Sequence, residues 1–183
     1  MTLGVYCGSF APVHNGHVGI IDEVLKEGLA EKVIVVATGD YWYKKIAIPL
    51  KKRLDCLKLI EKENIIIDED IDDCNTQYTF DLLGRLKKKY PEAELKLILG
   101  ADNLKNFRQW YHSEDLLKDY PFIIMEREGY EAAELMADLG KKDYEILKCE
   151  RFDISSSYIR EHLDDEELIR EWLPEGVLNI LKQ

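Results

Sequence analysis

The stretch that decides the fold is Gly8-Ser9-Phe10-Ala11-Pro12-Val13-His14-Asn15-Gly16-His17, which follows a short apolar run at residues 3–6. A helical pattern begins directly after it, so His14 and His17 stand where a first strand ends and a first helix begins. At such a junction, free backbone N–H groups and the positive end of the helix dipole converge, which favours a bound anion. The stretch therefore predicts an α/β protein in which two histidines face one oxyanion.

Apolar runs and helical spacings alternate along the rest of the chain. Runs rich in β-branched residues predict further strands at 33–37, 65–67, 95–99, 122–125 and 144–147. Helical patterns begin near residues 18, 50, 80 and 131, and the chain after 147 is helical, with breaks near 164–165 and at Pro174. This alternation predicts an α/β fold: a Rossmann-like doubly wound parallel sheet with a helical C-terminal end. Because no repeat or linker interrupts the pattern, we expect one domain over residues 1–183.

Polar turns follow several of the predicted strands. Thr38-Gly39-Asp40 and Gly100-Ala101-Asp102 both stand at carboxyl ends, the edge at which parallel sheets bind ligands. Farther along, residues 154–160 read Ile-Ser-Ser-Ser-Tyr-Ile-Arg, a second anion-binding turn whose serines suit a helix N-cap. Arg160 is expected in the first turn of that helix, where a cation opposes the helix dipole unless it serves an anion. The two turns together predict a nucleoside triphosphate held between two helix N-termini.

Composition excludes several classes of partner. The formal net charge is −11 over 183 residues, so we expect no general binding to nucleic acid or to anionic membranes. No apolar run approaches the roughly 18 residues of a membrane span, and no signal peptide is recognised, so a cytoplasmic protein is expected. A polyphosphate would need a local cluster of cations. The candidates are Lys44, Lys45, Lys51, Lys52, Arg53, Arg127 and Arg160.

Cysteines and acidic residues offer no metal-binding pattern. Cys7, Cys56, Cys74 and Cys149 are widely spaced, which argues against a zinc site and a disulfide framework and favours reduced thiols. The acidic run at 68–73 lacks the glycine and glutamate spacing of a calcium loop, so a solvated loop is expected there.

The two anion-binding motifs resemble those of the HxGH nucleotidyltransferase superfamily. Its members transfer a nucleotidyl group from a nucleoside triphosphate to a phosphate monoester. The resemblance implies that His14 and His17 bind the triphosphate and stabilise charge on the transferred phosphate, while Ser155, Ser156 and Arg160 hold the β- and γ-phosphates. It also implies that Mg²⁺ arrives with ATP and keeps most of its waters, without a dedicated protein metal site.

Four further segments resemble the nicotinate-nucleotide adenylyltransferases: residues 77–81, 100–104, 110–117 and 172–177. This resemblance implies transfer of AMP from ATP to nicotinate mononucleotide, giving deamido-NAD and pyrophosphate in NAD biosynthesis. It places Trp110 against the pyridine ring, Thr79 near the nicotinate carboxylate and Arg127 near a phosphate or the acceptor. Periodicity alone favours Trp110 as an ordinary core aromatic that anchors a loop, and the match of the surrounding residues reverses this preference. The implied ATP contacts are Gly8, Ser9, Phe10, His14, Gly16, His17, Gly100, Asp102, Ile154, Ser155, Ser156 and Arg160.

The chain departs from the family pattern in two places. Ala11 stands where the family usually has an acidic residue, and Asp40-Tyr41-Trp42-Tyr43-Lys44-Lys45 stands where it usually has Pro-Pro-His-Lys. Lys44 or Lys45 would replace the basic residue at the acceptor. The three aromatic residues form either an altered lid over the mononucleotide or an exposed loop. Both departures bear on the acceptor more than on the reaction.

Other functions stay open on these residues. The acceptor could instead be nicotinamide mononucleotide, phosphopantetheine or another phosphate monoester, although phosphopantetheine enzymes usually have threonine where this chain has His14. A nucleotide-binding protein without catalysis is a third hypothesis, and the presence of both histidines and Arg160 counts against it. A class I aminoacyl-tRNA synthetase is disfavoured because no tRNA-binding domain or lysine-rich second motif is seen. The sequence allows a homo-oligomer.

Overall fold

A six-stranded parallel sheet forms the centre of the fold. The structure is a computed structural model that describes residues 1–39, 46–70, 78–147 and 154–183. The strands are β1 (Thr2–Gly8), β2 (Lys32–Ala37), β3 (Ile65–Ile67), β4 (Glu94–Gly100), β5 (Phe122–Met125) and β6 (Tyr144–Leu147). Their order in the sheet is β3-β2-β1-β4-β5-β6, and every neighbouring pair is parallel. Each strand lies where an apolar run predicts it.

Helices connect the strands and continue after the last of them. They are α1 (Asn15–Lys26), α2 (Leu50–Lys58), α3 (Thr79–Lys89), α4 (Ala101–Leu104), α5 (Ser113–Asp119), α6 (Ala132–Asp138), α7 (Ser156–Glu161), α8 (Glu166–Ile169) and α9 (Val177–Leu181). The sequence patterns predict α1, α2, α3, α6 and the C-terminal helices. They do not predict α4 and α5. Helix α4 spans only four residues, too few for a 3.6-residue period, and the apolar residues of α5 are the adjacent Leu116 and Leu117, which give no helical spacing.

Both faces of the sheet are covered by apolar side chains. On one face, strand residues such as Val33, Val35 and Ile123 pack with α1, α2 and the C-terminal helices. On the opposite face, Ile34 and Leu97 pack with α3, α4, α5 and α6. Successive strand residues point to opposite sides, so a strand covered on both sides must be apolar throughout. The predicted doubly wound α/β fold with a helical C-terminal end is confirmed.

The order of the strands creates a crevice between β1 and β4. The chain passes from β1 towards β2 and β3 on one side, and from β4 towards β5 and β6 on the other. Helices therefore diverge above this point, and ligands of such sheets bind there, at the carboxyl ends of the strands. Gly8 ends β1 and Gly100 ends β4, so the first motif and the Gly100 turn border the same crevice.

The acidic segment after β3 is partly buried. The expectation of a solvated loop at 68–73 is wrong for Asp68, which is 1% exposed. The Asp68 carboxylate accepts hydrogen bonds from Nη1 of Arg85 at 3.2 Å and from its Nη2, so α3 is tied to the end of β3. This pair could not be predicted from the sequence, because its two residues are 17 positions apart, one after β3 and the other in α3. Residues 71–73 lie outside the described ranges.

Candidate functional site

His14 and His17 are held against each other at the start of α1. His14 is the extended N-cap residue of the helix, and the His17 imidazole lies one turn farther on. The His17 Nδ1 atom accepts a hydrogen bond from the His14 backbone N–H at 3.2 Å, and the two rings stack with centroids 3.7 Å apart. Because Nδ1 is an acceptor, neutral His17 carries its proton on Nε2. Gly16, between the histidines, is buried in the same turn.

Burial keeps both imidazoles neutral in the unliganded protein. Together with a smaller effect of the nearby Arg127 guanidinium, burial lowers the pKa of His14 to about 4. Burial, followed by the charges of His14 and Arg127, holds the pKa of His17 well below its ordinary value. His14 Nδ1 is buried and makes no hydrogen bond within the described part of the chain. A bound anion would oppose these shifts, since negative charge favours imidazolium.

The loop before the helix supports His17 with aromatic rings. Phe10 is 1% exposed, and its ring contacts that of His17 edge-on, with centroids 4.9 Å apart. The same ring packs edge-on against Tyr6 at 5.3 Å. A Cβ atom at Gly8 would lie 3.2 Å from the Phe10 ring, so glycine leaves room for it. Phe10 has a φ of 43°, a left-handed conformation that side chains rarely adopt.

Arg53 positions the loop instead of serving as a free cation. The sequence places it among the candidates for a phosphate cluster, and this is wrong, because Arg53 is fully buried. Its guanidinium donates to the carbonyl oxygens of Ile48 at 2.8 Å, Ser9 at 2.8 Å and Thr38 at 2.7 Å. It therefore joins the loops that follow β1 and β2. A sequence signal for this burial exists: Arg53 lies three and four residues before Cys56 and Leu57, and this spacing places it on the buried face of α2.

The second motif is bonded directly to the first. Ser156 Oγ donates to the Pro12 carbonyl at 2.9 Å, and Arg160 Nη1 donates to the Ala11 carbonyl at 2.6 Å. Ser155 is the N-cap of α7, and its Oγ accepts from the Tyr158 N–H at 3.1 Å. Side chains almost 150 positions apart in the sequence therefore line one loop.

Arg160 does not lie in the first turn of its helix. Helix α7 spans only Ser156–Glu161, and Arg160 occupies its last turn, where a cation suits the helix dipole. The expected conflict with the dipole is therefore wrong. Its Nη2 also donates to Ser157 Oγ at 3.0 Å, so two of the five N–H groups of the guanidinium are used in these contacts. Ile154, just before the helix, packs against the core that contains α1.

The turn after β4 adds a carboxylate and an arginine. Asp102 lies in α4, and its Oδ1 is 3.7 Å from Nε of Arg127, which follows β5. A Cβ atom at Gly100 would overlap the Asp102 carboxylate and lie 3.3 Å from Arg127 Nε. Glycine at position 100 therefore keeps the backbone open beside both side chains. Since Arg127 also shifts the pKa of both histidines, the structure brings Gly100, Asp102, Arg127 and the first motif together.

Thr79 and Trp110 belong to a second, aromatic cluster. Thr79 is the first residue of α3, and Trp110 follows a short 3₁₀ turn, its ring stacked on buried Phe107 with centroids 4.9 Å apart. Tyr78, next to Thr79, stacks on Tyr111, next to Trp110, at 4.6 Å. The structure thus joins these two expected acceptor contacts through their neighbours. Lys44, Lys45 and the aromatic residues 41–43 lie outside the described ranges.

The two cysteines in the described ranges, Cys7 and Cys56, are not activated thiols, and Cys74 and Cys149 lie outside these ranges. Cys7 is the penultimate residue of β1. Burial, with a smaller effect of the Asp68 charge, raises the pKa of its thiol to about 12. Burial also raises the pKa of Cys56 to about 11. Among the described residues, no group of three or more His, Cys, Asp and Glu side chains is placed to hold a metal ion. No helix in the described part of the chain is long and apolar enough to span a membrane.

Comparison with known proteins gives the same fold and motifs. Residues 5–162 match the family model described as cytidylyltransferase-like. The chain belongs to this family. It is 31% identical to a probable nicotinate-nucleotide adenylyltransferase of Aliarcobacter butzleri, over 100% of this chain and 98% of the relative. It is 30% identical to a probable nicotinate-nucleotide adenylyltransferase of Bacillus mycoides, over 96% of this chain and 92% of the relative. The resemblance drawn from the motifs is confirmed.

Solved structures agree with the fold at low sequence identity. The Plasmodium falciparum nicotinic acid mononucleotide adenylyltransferase complexed with NaAD superposes with a TM-score of 0.83 at 19% identity, over 99% of this chain and 94% of that one. A putative nicotinate-nucleotide adenylyltransferase from Vibrio parahaemolyticus superposes with a TM-score of 0.71 at 17% identity, over the full length of both chains. The sheet and its crevice are therefore shared with these proteins.

Proposed function

We propose that the chain transfers AMP from ATP to nicotinate mononucleotide and releases pyrophosphate, forming deamido-NAD. One observation carries the proposal: the two motif loops are bonded to each other and bring His14, His17 and Arg160 to the carboxyl end of β1. The segments of Thr79 and Trp110, linked by the Tyr78–Tyr111 contact, are assigned to the acceptor. The relatives named above for the same activity support it.

The reaction needs positioning and charge neutralisation more than proton transfer. An oxygen of the acceptor phosphate attacks the α-phosphorus of ATP, one P–O bond forms, and the bond to the β-phosphate oxygen breaks as pyrophosphate leaves with its charge. The acceptor is already an anion, so no general base is required. Donors fixed in advance where charge develops supply most of the rate enhancement in such transfers.

Each part of the triphosphate has a matching group in this proposal. The neutral imidazoles of His14 and His17 donate N–H groups to the transferred phosphate. Arg160, with Ser155 and Ser156, holds the phosphates that leave. The remaining ATP contacts are assigned to Gly8, Ser9, Phe10, Gly16 and Ile154 in the two motif loops and to Gly100 and Asp102 beside the adenosine. Mg²⁺ enters as part of the MgATP substrate, bound by phosphate oxygens and water.

The acceptor is assigned to the aromatic end. Trp110 offers a face for the pyridine ring, since offset stacking of planar rings is favourable. Thr79, the first residue of α3, is assigned to the carboxylate, and Arg127, Lys44 and Lys45 are assigned to the acceptor phosphate as sources of positive charge. We further propose a single cytoplasmic domain that acts on these small molecules and not on nucleic acid or membranes.

Pyrophosphate release tests the proposal directly. The protein is incubated with MgATP and one of four additions: nicotinate mononucleotide, nicotinamide mononucleotide, phosphopantetheine or buffer. We expect release to be fastest with nicotinate mononucleotide. Release only with another acceptor, or none with either pyridine mononucleotide, would contradict the proposal and show that Ala11 and residues 40–45 redirect the site.

A further inference from the structure

His112 connects the Trp110 segment to the first turn of α3. Its imidazole stacks on the Phe80 ring, with centroids 4.4 Å apart and planes inclined by 16°. On its other side, Nδ1 lies 2.6 Å from Oδ2 of Asp115 in the first turn of α5. The neighbouring Tyr111 ring also contacts the imidazole edge-on, with centroids 4.2 Å apart. The side chain is therefore held by two ring contacts and one polar contact, and Phe80 and Asp115 belong to different helices.

The backbone of His112 adopts an unusual conformation. Its φ is 54° and its ψ is 38°, in the left-handed region, where residues with a side chain are uncommon and asparagine, aspartate and histidine are the most frequent of them. A histidine persists there only when its surroundings offset the cost. The stack on Phe80, the edge-on contact with Tyr111 and the polar contact with Asp115 are interactions that do so. The chain reversal between Trp110 and α5 thus depends on where the His112 ring is anchored.

The His112–Phe80 stack links the two segments that carry the residues assigned to the acceptor. Phe80 directly follows Thr79, and His112 is two residues beyond Trp110. Trp110 is fixed on its other side by Phe107, which packs edge-on against Phe122 of β5 at 5.4 Å. One side of the Trp110 segment is therefore attached to the sheet, and the other is attached to α3 through His112.

We propose that His112, stacked on Phe80 and bonded to Asp115, is a positioning residue that sets the spacing between Thr79 and Trp110 and so determines the affinity for the acceptor mononucleotide. This inference rests on the proposed function. It assigns His112 no contact with the substrate, and it predicts an effect on the acceptor that is absent for ATP.

The substitution His112→Asn tests the role of the ring with the backbone preserved. Asparagine tolerates the left-handed conformation and is a favourable N-cap, which suits the position before α5. We expect the KM for nicotinate mononucleotide to rise about three- to tenfold, the range expected for loss of one aromatic pair. The KM for ATP and kcat should stay within about twofold of the parent. His112→Phe, which keeps a ring on Phe80, should restore most of the parent KM.

A matched control removes a similar stack at the other end of the crevice. His162 stacks on Tyr158 with centroids 4.0 Å apart, and its Nδ1 contacts the Tyr158 carbonyl at 2.9 Å. His162→Asn should leave the KM for nicotinate mononucleotide unchanged. Thermal unfolding of all variants checks that each is folded.

The outcomes separate this inference from the proposed function. If the parent uses nicotinate mononucleotide but His112→Asn keeps its KM, or raises the KM values of acceptor and ATP equally, the positioning role is wrong. Failure of His112→Phe to restore the KM would also overturn it. If the parent uses a different acceptor, the proposed function fails, and the same ratio measured with that acceptor decides the positioning role. If the parent uses no acceptor, both fail.

Discussion

The two ends of the crevice are built by different means. At the end assigned to the triphosphate, side chains are fixed by hydrogen bonds to backbone carbonyls from distant segments, as Arg53 and Arg160 show. At the end assigned to the acceptor, rings stack on rings, and Tyr78 and Tyr111 are 46% and 47% exposed. The first is held by directional hydrogen bonds, whereas the second offers flat ring surfaces that suit a planar ligand. Substitutions at the first end should therefore affect rate and stability, and those at the second should affect acceptor affinity.

The largest effect is expected for His17→Ala. Loss of one donor at the developing charge should lower kcat about 100-fold, by analogy with the removal of an oxyanion donor. Single-turnover pyrophosphate release measures it, and the free energy of unfolding in urea checks that the fold persists. Equal rates in variant and parent would remove His17 from the mechanism and abolish the contrast between the ends.

Arg53→Ala should destabilise the protein by about 2–4 kcal/mol. It leaves the carbonyls of Ser9, Thr38 and Ile48 without their buried donor, and each such loss is costly. Urea unfolding measures the change, and kcat should fall with it because the first motif is no longer fixed. The control is Lys51→Ala, an exposed residue of the same helix, which should change neither quantity. An Arg53→Ala variant with the stability and kcat of the parent would show that the loops after β1 and β2 keep their conformation without Arg53.

Protonation of the buried histidines should weaken folding at low pH. His14 has a pKa of about 4 in the folded protein and about 6.5 when unfolded, so the unfolded state binds more protons between these values. Stability is therefore lost as the pH falls from about 6.5 towards 4, by about 1.4 kcal/mol per pH unit for His14. Urea unfolding at several pH values should show a shallower dependence for His14→Gln. An identical slope in parent and variant would contradict the burial argument.

The smallest of these effects is expected for Trp110→Ala, at the acceptor end. Loss of the stacking face should raise the KM for nicotinate mononucleotide about tenfold and that for ATP much less. Steady-state kinetics with each substrate varied in turn measure both. Trp110→Phe keeps an aromatic face and should recover part of the affinity. Equal increases in both KM values would instead favour Trp110 as a packing residue of the core around Phe107.

Much of the fold could be predicted because its signals are local. Uninterrupted runs such as Val33-Ile34-Val35-Val36 identify strands buried on both faces, and the alternation with helices implies a parallel sheet. The prediction fails where a signal is short or depends on a distant partner. Helix α4 has too few residues for a periodic pattern, and α5 has only two adjacent leucines as apolar residues. Nothing local indicates that Asp68 pairs with Arg85 across 17 residues.

The same distinction holds within the candidate site. The sequence by itself determined the sheet and its ligand-binding edge, because strand and helix periods are properties of neighbouring residues. It also determined the two motifs and the family, because the spacing of His14, Gly16 and His17 is equally local. Only the tertiary structure decided that Arg53 is buried beneath the first loop, that Arg160 reaches Ala11 and that His112 stacks on Phe80. These contacts join residues distant in sequence, and their geometry is fixed by how the helices pack on the sheet.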